Sequence, residues 1–190
     1  KVVGREILHK TDVGGVKLIS IAGLSVKDIL IQVSEMESTI EGEGCAEAVE
    51  GFMAGAFVPH KANTPGQEVL LSLKQDPAFG PCVVLGIGGT LTEWYGKGSG
   101  GNSTLILPAF GLKAERIMSA IEAHPLLSIL CFPSRLYSSP PVSIDNIVSW
   151  VMALAKVGAY AGPQGDSEFT LEEVEINPAV ANQGKLMALD

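Results

Sequence analysis

Two oxygen-bearing side chains, Glu175 and Asn177, lie two residues apart in the stretch EINP, residues 175–178. Side chains alternate along a strand with a period of two, so both would point to the same face. Asp190 ends the apolar stretch KLMALD, and a hairpin between the two strands would bring all three side chains together. Hard oxygen ligands of this kind suit magnesium that carries nucleotide phosphates. The alternative is a solvated strand edge.

The stretch HKTDVGG, residues 9–15, offers a second place for chemistry near the start of the chain. It puts His9 and Asp12 directly before the glycine pair Gly14 and Gly15. Asp12 could orient the histidine ring, or it could form an Asx turn with the main chain. Because a histidine in a polar turn is often structural, the residue types leave both a catalytic site and a tight turn open.

Several familiar site motifs are absent from the sequence. GIGG at 86–89 is followed by Leu91, where the dinucleotide-binding pattern GxGxxG requires a glycine. The GK pairs at 96–97 and 184–185 lack the glycine spacing of a phosphate-binding P-loop. HExxH, GxSxG and the kinase HRD motif are also missing. The sequence therefore excludes Rossmann-type NAD binding, P-loop nucleotide binding and familiar hydrolase chemistry.

The composition is that of a compact globular protein: 46% of the 190 residues are hydrophobic, 18% are charged, and the net charge is −8. This negative charge argues against nucleic-acid binding, which depends largely on Lys and Arg. The three cysteines form no CxxC pair and are odd in number, which favours a reduced, cytoplasmic compartment. The most apolar stretch, from Ile147, is interrupted by Lys156 and is too short to span a membrane.

Hydrophobic periodicity predicts the elements that would position these side chains. Apolar alternation predicts a hairpin over residues 5–22, with DVGG as its turn. Ser25 is predicted to cap an amphipathic helix that ends near EGEG. Residues 49–58, 67–76 and 81–89 are predicted to be strands, and the third has the continuous apolar character of a buried strand.

In the C-terminal half, the glycine-rich stretch 95–103 predicts a flexible surface loop. Helices are predicted at 111–123 and 143–157, the second opened by Ser143. FTLEEVEINPAV and KLMALD are predicted to be the two strands that carry the candidate magnesium ligands. Strands and helices that mix without strict alternation indicate an α+β arrangement of two lobes.

Several segments occur in one order: HKTDVGGVKL, QEVLLSLKQDPAFGP, VVLGIGG with Glu93 four residues on, HPLL at 124–127, and EVEINP followed by LD. This order resembles the ATP-grasp domain of ADP-forming acyl-CoA synthetases and, more distantly, the β subunit of succinyl-CoA synthetase. The resemblance implies an ATP-grasp fold of two lobes with mixed or antiparallel sheets and flanking helices. Residues 1–58 would be the remainder of an incomplete N-terminal lobe, 59–66 a linker, and 67–190 the C-terminal lobe.

The resemblance also implies which residues bind the nucleotide, ATP or ADP. Lys1 resembles a lysine whose charge meets the phosphates. Gly14 and Gly15 resemble a glycine turn whose main-chain N–H groups approach the same phosphates. Glu68 matches a glutamate of the family's nucleotide site.

Metal binding and catalysis are implied in the same way. Asn177 and Asp190 match the family's Mg²⁺ ligands, with Glu175 beside them as a further candidate. His9 matches the histidine that takes a phosphoryl group in relay, a role that suits a nucleophilic imidazole. Asp12 would orient its ring or stabilise its charged form.

The implied function is the reversible conversion of acyl-CoA, ADP and phosphate into acid, CoA and ATP through a phosphohistidine relay. The implied partner is a CoA-binding α subunit or domain that carries the primary phosphohistidine, so we expect a hetero- or homo-oligomer. The chain starts at Lys1 without a methionine. We therefore expect it to be part of a longer polypeptide.

One departure from the family pattern motivates a second hypothesis. Family members usually carry an aspartate and then an arginine between the glutamate matched by Glu93 and the following proline, but neither occurs here before Pro108. The alternative is therefore a regulatory or scaffolding module that has the ATP-grasp fold without turnover. A third possible function is that of a carboxylate–amine ligase. This function would account for EINP and LD, but it assigns no role to HKTDVGG. The acyl group, and the choice between ATP and GTP, are not specified by the sequence.

Overall fold

The computed structural model of the chain divides into two compact units, Lys1–Phe57 and Val58–Asp190. The residues that it describes are 1–7, 9–62, 64–98 and 103–189. Within these ranges, the helices lack the length and apolar character that crossing a membrane requires.

The first unit is built on one helix and a small strand pair. Helix α1 (Val26–Gly42) begins at Ser25, whose Oγ accepts the Asp28 N–H at 3.3 Å, while the Asp28 carboxylate accepts the Ser25 N–H at 2.7 Å. This reciprocal capping confirms the predicted helix start, and the helix ends near EGEG as predicted. Strand β1 (Val2–Val3) pairs antiparallel with β2 (Gly51–Phe52), so the strand predicted at 49–58 is much shorter than expected. A short 3₁₀ helix spans Ala46–Ala48.

The predicted hairpin over residues 5–22 is wrong. The described residues of that segment form turns and irregular chain without strand pairing. The Gly15 N–H donates to the Lys10 carbonyl at 2.7 Å, which closes a loop where a strand was expected. Leu18 and Ile21 are 69% and 71% exposed, so the apolar alternation does not mark a buried face in this unit.

A sheet of five antiparallel strands forms the second unit within the described residues. The strands are β3 (Glu68–Asp76), β4 (Gly80–Ile87), β5 (Thr104–Pro108), β6 (Glu173–Asn182) and β7 (Lys185–Ala188). Their spatial order is β5-β4-β3-β6-β7. The strands predicted at 67–76 and 81–89 and the two C-terminal strands are confirmed, together with the hairpin that joins β6 to β7.

The helices of this unit within the described residues are α2 (Leu91–Gly98), α3 (Ala114–Ala123), α4 (Ser128–Cys131) and α5 (Ile144–Ala161). Both predicted helices are confirmed, and α5 begins at Ser143 as expected, because its Oγ accepts the Asn146 N–H at 3.2 Å. The loop predicted at 95–103 is wrong for residues 95–98, since α2 continues through them. Leu91 and Tyr95, one turn apart, pack against the core and hold this helix. Residues 99–102 lie outside the described ranges.

The segment predicted as a linker, residues 59–66, belongs to the second unit. The Tyr137 hydroxyl donates to the Pro65 carbonyl at 2.7 Å, and His60 lies beside Glu68 of β3. The His60 contact attaches the segment to the sheet, and the Tyr137 contact attaches it to the connection between α4 and α5.

The two faces of the sheet differ in character. Val69, Leu71 and Leu73 of β3 are fully buried in the hydrophobic core beneath α3 and α5. The alternate residues of β3 point to the opposite face, and there Glu68 and Ser72 are buried polar side chains. A buried carboxylate needs a partner, because burying an uncompensated charge is costly. The opposite face of the sheet is therefore where a site is expected.

Candidate functional site

The candidate site of the second unit begins at Glu68, the first residue of β3. Its Oε1 lies 3.6 Å from Nε2 of His60, and the two side chains are only 9% and 11% exposed. The other ring nitrogen of His60, Nδ1, lies 2.8 Å from the Val58 carbonyl oxygen. The sequence pattern does not single out His60, because this contact joins a loop residue to a strand residue and has no characteristic spacing.

The turn at Gly88 and Gly89, which follows β4, connects Glu68 to Asn177. The Gly88 N–H donates to the Glu68 carbonyl at 2.9 Å, and the Gly89 N–H donates to Asn177 Oδ1 at 2.9 Å. Gly89 has a φ of 67°, and a Cβ there would lie 2.5 Å from Glu68 Oε2. Gly88 and Gly89 thus have a structural use other than dinucleotide binding. Without a Cβ, the main chain of this turn can approach the buried Glu68 carboxylate and the Asn177 amide closely.

Asn177 and Glu175 lie on one face of β6, as their spacing predicts. Asn177 Nδ2 donates to Glu175 Oε1 at 3.3 Å. In the β6–β7 hairpin, Ala188, two residues before Asp190, pairs with Ala179, two residues after Asn177. Asp190 itself lies outside the described residues.

The donor set of this pair fits a magnesium ion in part. Asn177 Oδ1 accepts one hydrogen bond and keeps a second lone pair, and Glu175 is an exposed carboxylate. Mg²⁺ is commonly held by one or two carboxylates, with phosphate and water supplying the other ligands. In the described part of the chain, no cluster of three or more His, Cys, Asp or Glu could hold a metal. A site here would therefore depend on the nucleotide for most of its ligands.

In the first unit, His9 and Asp12 line an open cavity of about 310 Å³. Both residues are exposed, and their side chains share no hydrogen bond or ion pair in the described structure. The Asp12 N–H instead donates to the His9 carbonyl at 3.1 Å, as part of a turn. The cavity leaves the His9 ring accessible. The other lining residues are Glu6, Ile7, Val13 and Cys45.

The glycine pair shapes this loop. Gly14 has a φ of 69°, and a Cβ there would lie 2.7 Å from Thr39 of α1. The Gly14 N–H donates to the Thr11 carbonyl at 3.2 Å and the Gly15 N–H to the Lys10 carbonyl at 2.7 Å. The two N–H groups expected to approach phosphates are thus already donated within the loop.

Lys1, the other residue predicted to meet phosphate, lies at the small strand pair of the first unit. Its main-chain nitrogen donates to the Met53 carbonyl at 2.8 Å, which extends the pairing of β1 with β2. The phosphate-binding roles of Lys1, Gly14 and Gly15 stay predictions.

His124 of the HPLL segment has a structural role. Its Nδ1 accepts the N–H groups of Leu126 and Leu127, both at 3.2 Å, so this nitrogen must be unprotonated. Burial lowers the pKa of His124, and a hydrogen bond with the Thr104 main chain opposes this shift. The neutral ring thereby satisfies two main-chain donors after α3.

The family of the chain is given by comparison with known protein families. A profile described as "ATP-grasp domain" matches residues 1–190, and the chain belongs to this family. The predicted α+β ATP-grasp class is confirmed by this match and by the architecture of the structural neighbours.

The curated relatives of the chain include ADP-forming acetate–CoA ligases. The chain is 28% identical, over 83% of its length, to acetate–CoA ligase (ADP-forming) I of Archaeoglobus fulgidus. It is 26% identical, over its full length, to the subunit beta of acetate–CoA ligase (ADP-forming) I of Pyrococcus furiosus. The chain spans 20% of the first protein and 71% of the second. The predicted resemblance to the ATP-grasp part of ADP-forming acyl-CoA synthetases is confirmed.

Solved structures of this fold cover the whole chain. One is the dinucleotide forming acetyl-coenzyme A synthetase 1 of Ca. Korarchaeum cryptofilum, in complex with coenzyme A and Mg-AMPPCP. It has a TM-score of 0.65 and 24% identity, and this chain covers 72% of it. A coenzyme A complex from the same organism has a TM-score of 0.71 at 23% identity, also with 72% covered. At these identities the likeness establishes the fold.

Proposed function

We propose that the chain is the nucleotide-binding part of an ADP-forming acyl-CoA synthetase. That enzyme would reversibly convert acyl-CoA, ADP and phosphate into acid, CoA and ATP. The observation that carries the proposal is the linked group in the second unit, where Gly89 connects the buried Glu68 to the Asn177–Glu175 pair. The family match over the whole chain supports it.

In the proposed site, Asn177, Glu175 and Asp190 would hold a divalent ion, for which Mg²⁺ is the proposed identity, and Glu68 would contact the nucleotide, ATP or ADP. The ion would supply neutralisation of the phosphate charge. Support comes from the paired amide and carboxylate on β6, and from the Mg-AMPPCP bound in the Korarchaeum neighbour. Lys1, Gly14 and Gly15 are proposed to act on the phosphates through charge and loop shape.

His9 is the proposed phosphoryl carrier, with Asp12 as its orienting group. In the direction of ATP synthesis, the N–P bond of the phosphorylated ring breaks as an O–P bond forms to the terminal phosphate of ADP. The imidazole nitrogen recovers its electron pair in this step. The exposed ring in an open cavity supports the role, since a carrier must reach both donor and acceptor.

The proposed partner is a CoA-binding α subunit or domain that carries the primary phosphohistidine, so the working enzyme would be an oligomer. The Pyrococcus relative is named a subunit beta, and the Korarchaeum structure is described with a phosphohistidine segment pointing towards the nucleotide binding site. The cytoplasm is the proposed compartment, consistent with the free cysteines Cys45, Cys82 and Cys131.

The second candidate function is an ATP-grasp module without turnover. It is favoured by one observation, the absence of aspartate and arginine between Glu93 and Pro108. Under this alternative the nucleotide would bind, and no phosphohistidine would form at His9.

Calorimetric titration of Mg-ADP into the full-length protein tests the proposed site. Asn177→Ala removes the amide that accepts the Gly89 N–H, and we expect affinity to fall at least about tenfold, or about 1.4 kcal/mol. Asn182→Ala is the matched control, because it removes an amide from the same strand that contacts only Met187 among the described contacts. Equal affinity of the two variants would argue against a nucleotide site at Asn177.

A further inference from the structure

We infer that His60 is the positioning residue for Glu68, and that it sets the geometry of the Mg-nucleotide site through the Glu68 carboxylate. The inference rests on the function proposed above. Its basis is the placement of the ring, which contacts a main-chain carbonyl with one nitrogen and the carboxylate with the other.

The first contact fixes the orientation of the ring. A carbonyl oxygen only accepts hydrogen bonds, so the Nδ1 atom that lies 2.8 Å from the Val58 oxygen carries a proton. The ring therefore cannot turn without losing this bond. His60 is 11% exposed, which limits its rotation further.

The second contact brings Nε2 of His60 within 3.6 Å of Oε1 of Glu68. With Nδ1 protonated, a bare Nε2 would direct its lone pair at a carboxylate oxygen, and this contact would be repulsive. An N–H group at Nε2 would make the contact attractive and would give the carboxylate a buried partner. Burial of the carboxylate is then much less costly than for a lone charge.

The position of Glu68 affects the proposed metal ligands through Gly89. Its Oε2 lies against Gly89, where even a Cβ would come within 2.5 Å. Gly89 in turn donates to Asn177 Oδ1, and Asn177 donates to Glu175. A shift of the carboxylate therefore displaces the turn that holds Asn177.

Two near-isosteric variants in the full-length protein test the inference. His60→Gln puts an amide N–H₂ near the position of Nε2 and keeps a donor for Glu68, whereas His60→Asn puts it near Nδ1 and keeps only the Val58 bond. We expect His60→Gln to bind Mg-ADP within about threefold of wild type and His60→Asn to bind about tenfold more weakly. The melting temperatures of both variants are measured in parallel.

A purely structural role would lower the melting temperature of both variants and leave their Mg-ADP affinities equal to each other. Equal affinities would therefore overturn the inference. The double variant His60→Asn with Glu68→Gln should bind no more weakly than Glu68→Gln alone, because both changes interrupt the same contact. Additive losses would also overturn it.

Glu68→Gln separates this inference from the proposed function. Wild-type affinity in Glu68→Gln would overturn the nucleotide site itself and, with it, the role of His60. Weakened binding in Glu68→Gln with unchanged binding in His60→Asn would overturn only the inference about His60. Weakened binding in both, with rescue in His60→Gln, supports both.

Discussion

Gly89→Ala tests the close approach of the GIGG turn to Glu68. Gly89 has a φ of 67°, a region in which an L residue costs about 1–2 kcal/mol. The new Cβ would lie 2.5 Å from Glu68 Oε2, so the carboxylate has to retreat by about 0.9 Å to reach the 3.4 Å of ordinary contact. If that retreat takes the side chain off its rotamer, it adds about 0.5–1.5 kcal/mol.

Gly111→Ala is the matched control. Gly111 has the same φ of 67° and lies in the same unit, and a Cβ added there would meet no atom within 4 Å. The free energy of unfolding should fall in both variants because alanine is strained at this φ. It should fall by about 1 kcal/mol more in Gly89→Ala, as measured by urea unfolding. Only Gly89→Ala should also weaken Mg-ADP binding. Equal unfolding free energies and equal Mg-ADP affinities in the two variants would refute the close-approach argument.

Two further predictions concern titratable groups in the second unit. Because burial lowers the pKa of His124, the unfolded state binds its proton first as the pH falls below about 6.5. The free energy of unfolding should therefore decrease from pH 7 towards pH 5. His124→Asn should reduce this decrease, because the asparagine does not titrate while its Oδ1 still accepts the same N–H groups. An unchanged dependence of the unfolding free energy on pH would contradict this role of His124. Burial also raises the pKa of Cys131 from 9.0 to about 12. At neutral pH the thiolate fraction of Cys131 is therefore about a thousandfold lower than that of a thiol with the unshifted pKa. Iodoacetamide should label the half-buried Cys45 well before Cys131, and mass spectrometry that found the reverse order would show that the Cys131 thiol is accessible.

The sequence predicts the elements whose signals are local. Ser25 and Ser143 mark helix starts through side-chain capping, and the structure has both caps. Four of the five strands that the structure describes in the sheet were predicted from their apolar runs, whereas β5 (Thr104–Pro108) was not predicted. The same reasoning failed at residues 5–22, where the alternating apolar residues are exposed and a loop bond from Gly15 replaces strand pairing.

The site was only partly predictable for a related reason. A spacing of two residues on one strand predicts that Glu175 and Asn177 share a face, and the structure joins them by a hydrogen bond. The contacts of His60 with Glu68, and of Gly89 with Asn177, join residues from different elements. No periodicity along the chain encodes such contacts, so they emerge only when the sheet is assembled.

His9 is the proposed phosphoryl carrier of the enzyme. The most direct measurement is incubation of the full-length protein with Mg²⁺ and ATP labelled at the γ-phosphate, followed by peptide mapping of acid-labile phosphate. We expect label on the peptide that contains His9, and none there in His9→Asn, which should still bind Mg-ATP. Nucleotide binding without label at His9, with the CoA-binding partner present, would contradict the phosphoryl-carrier role and favour the module without turnover.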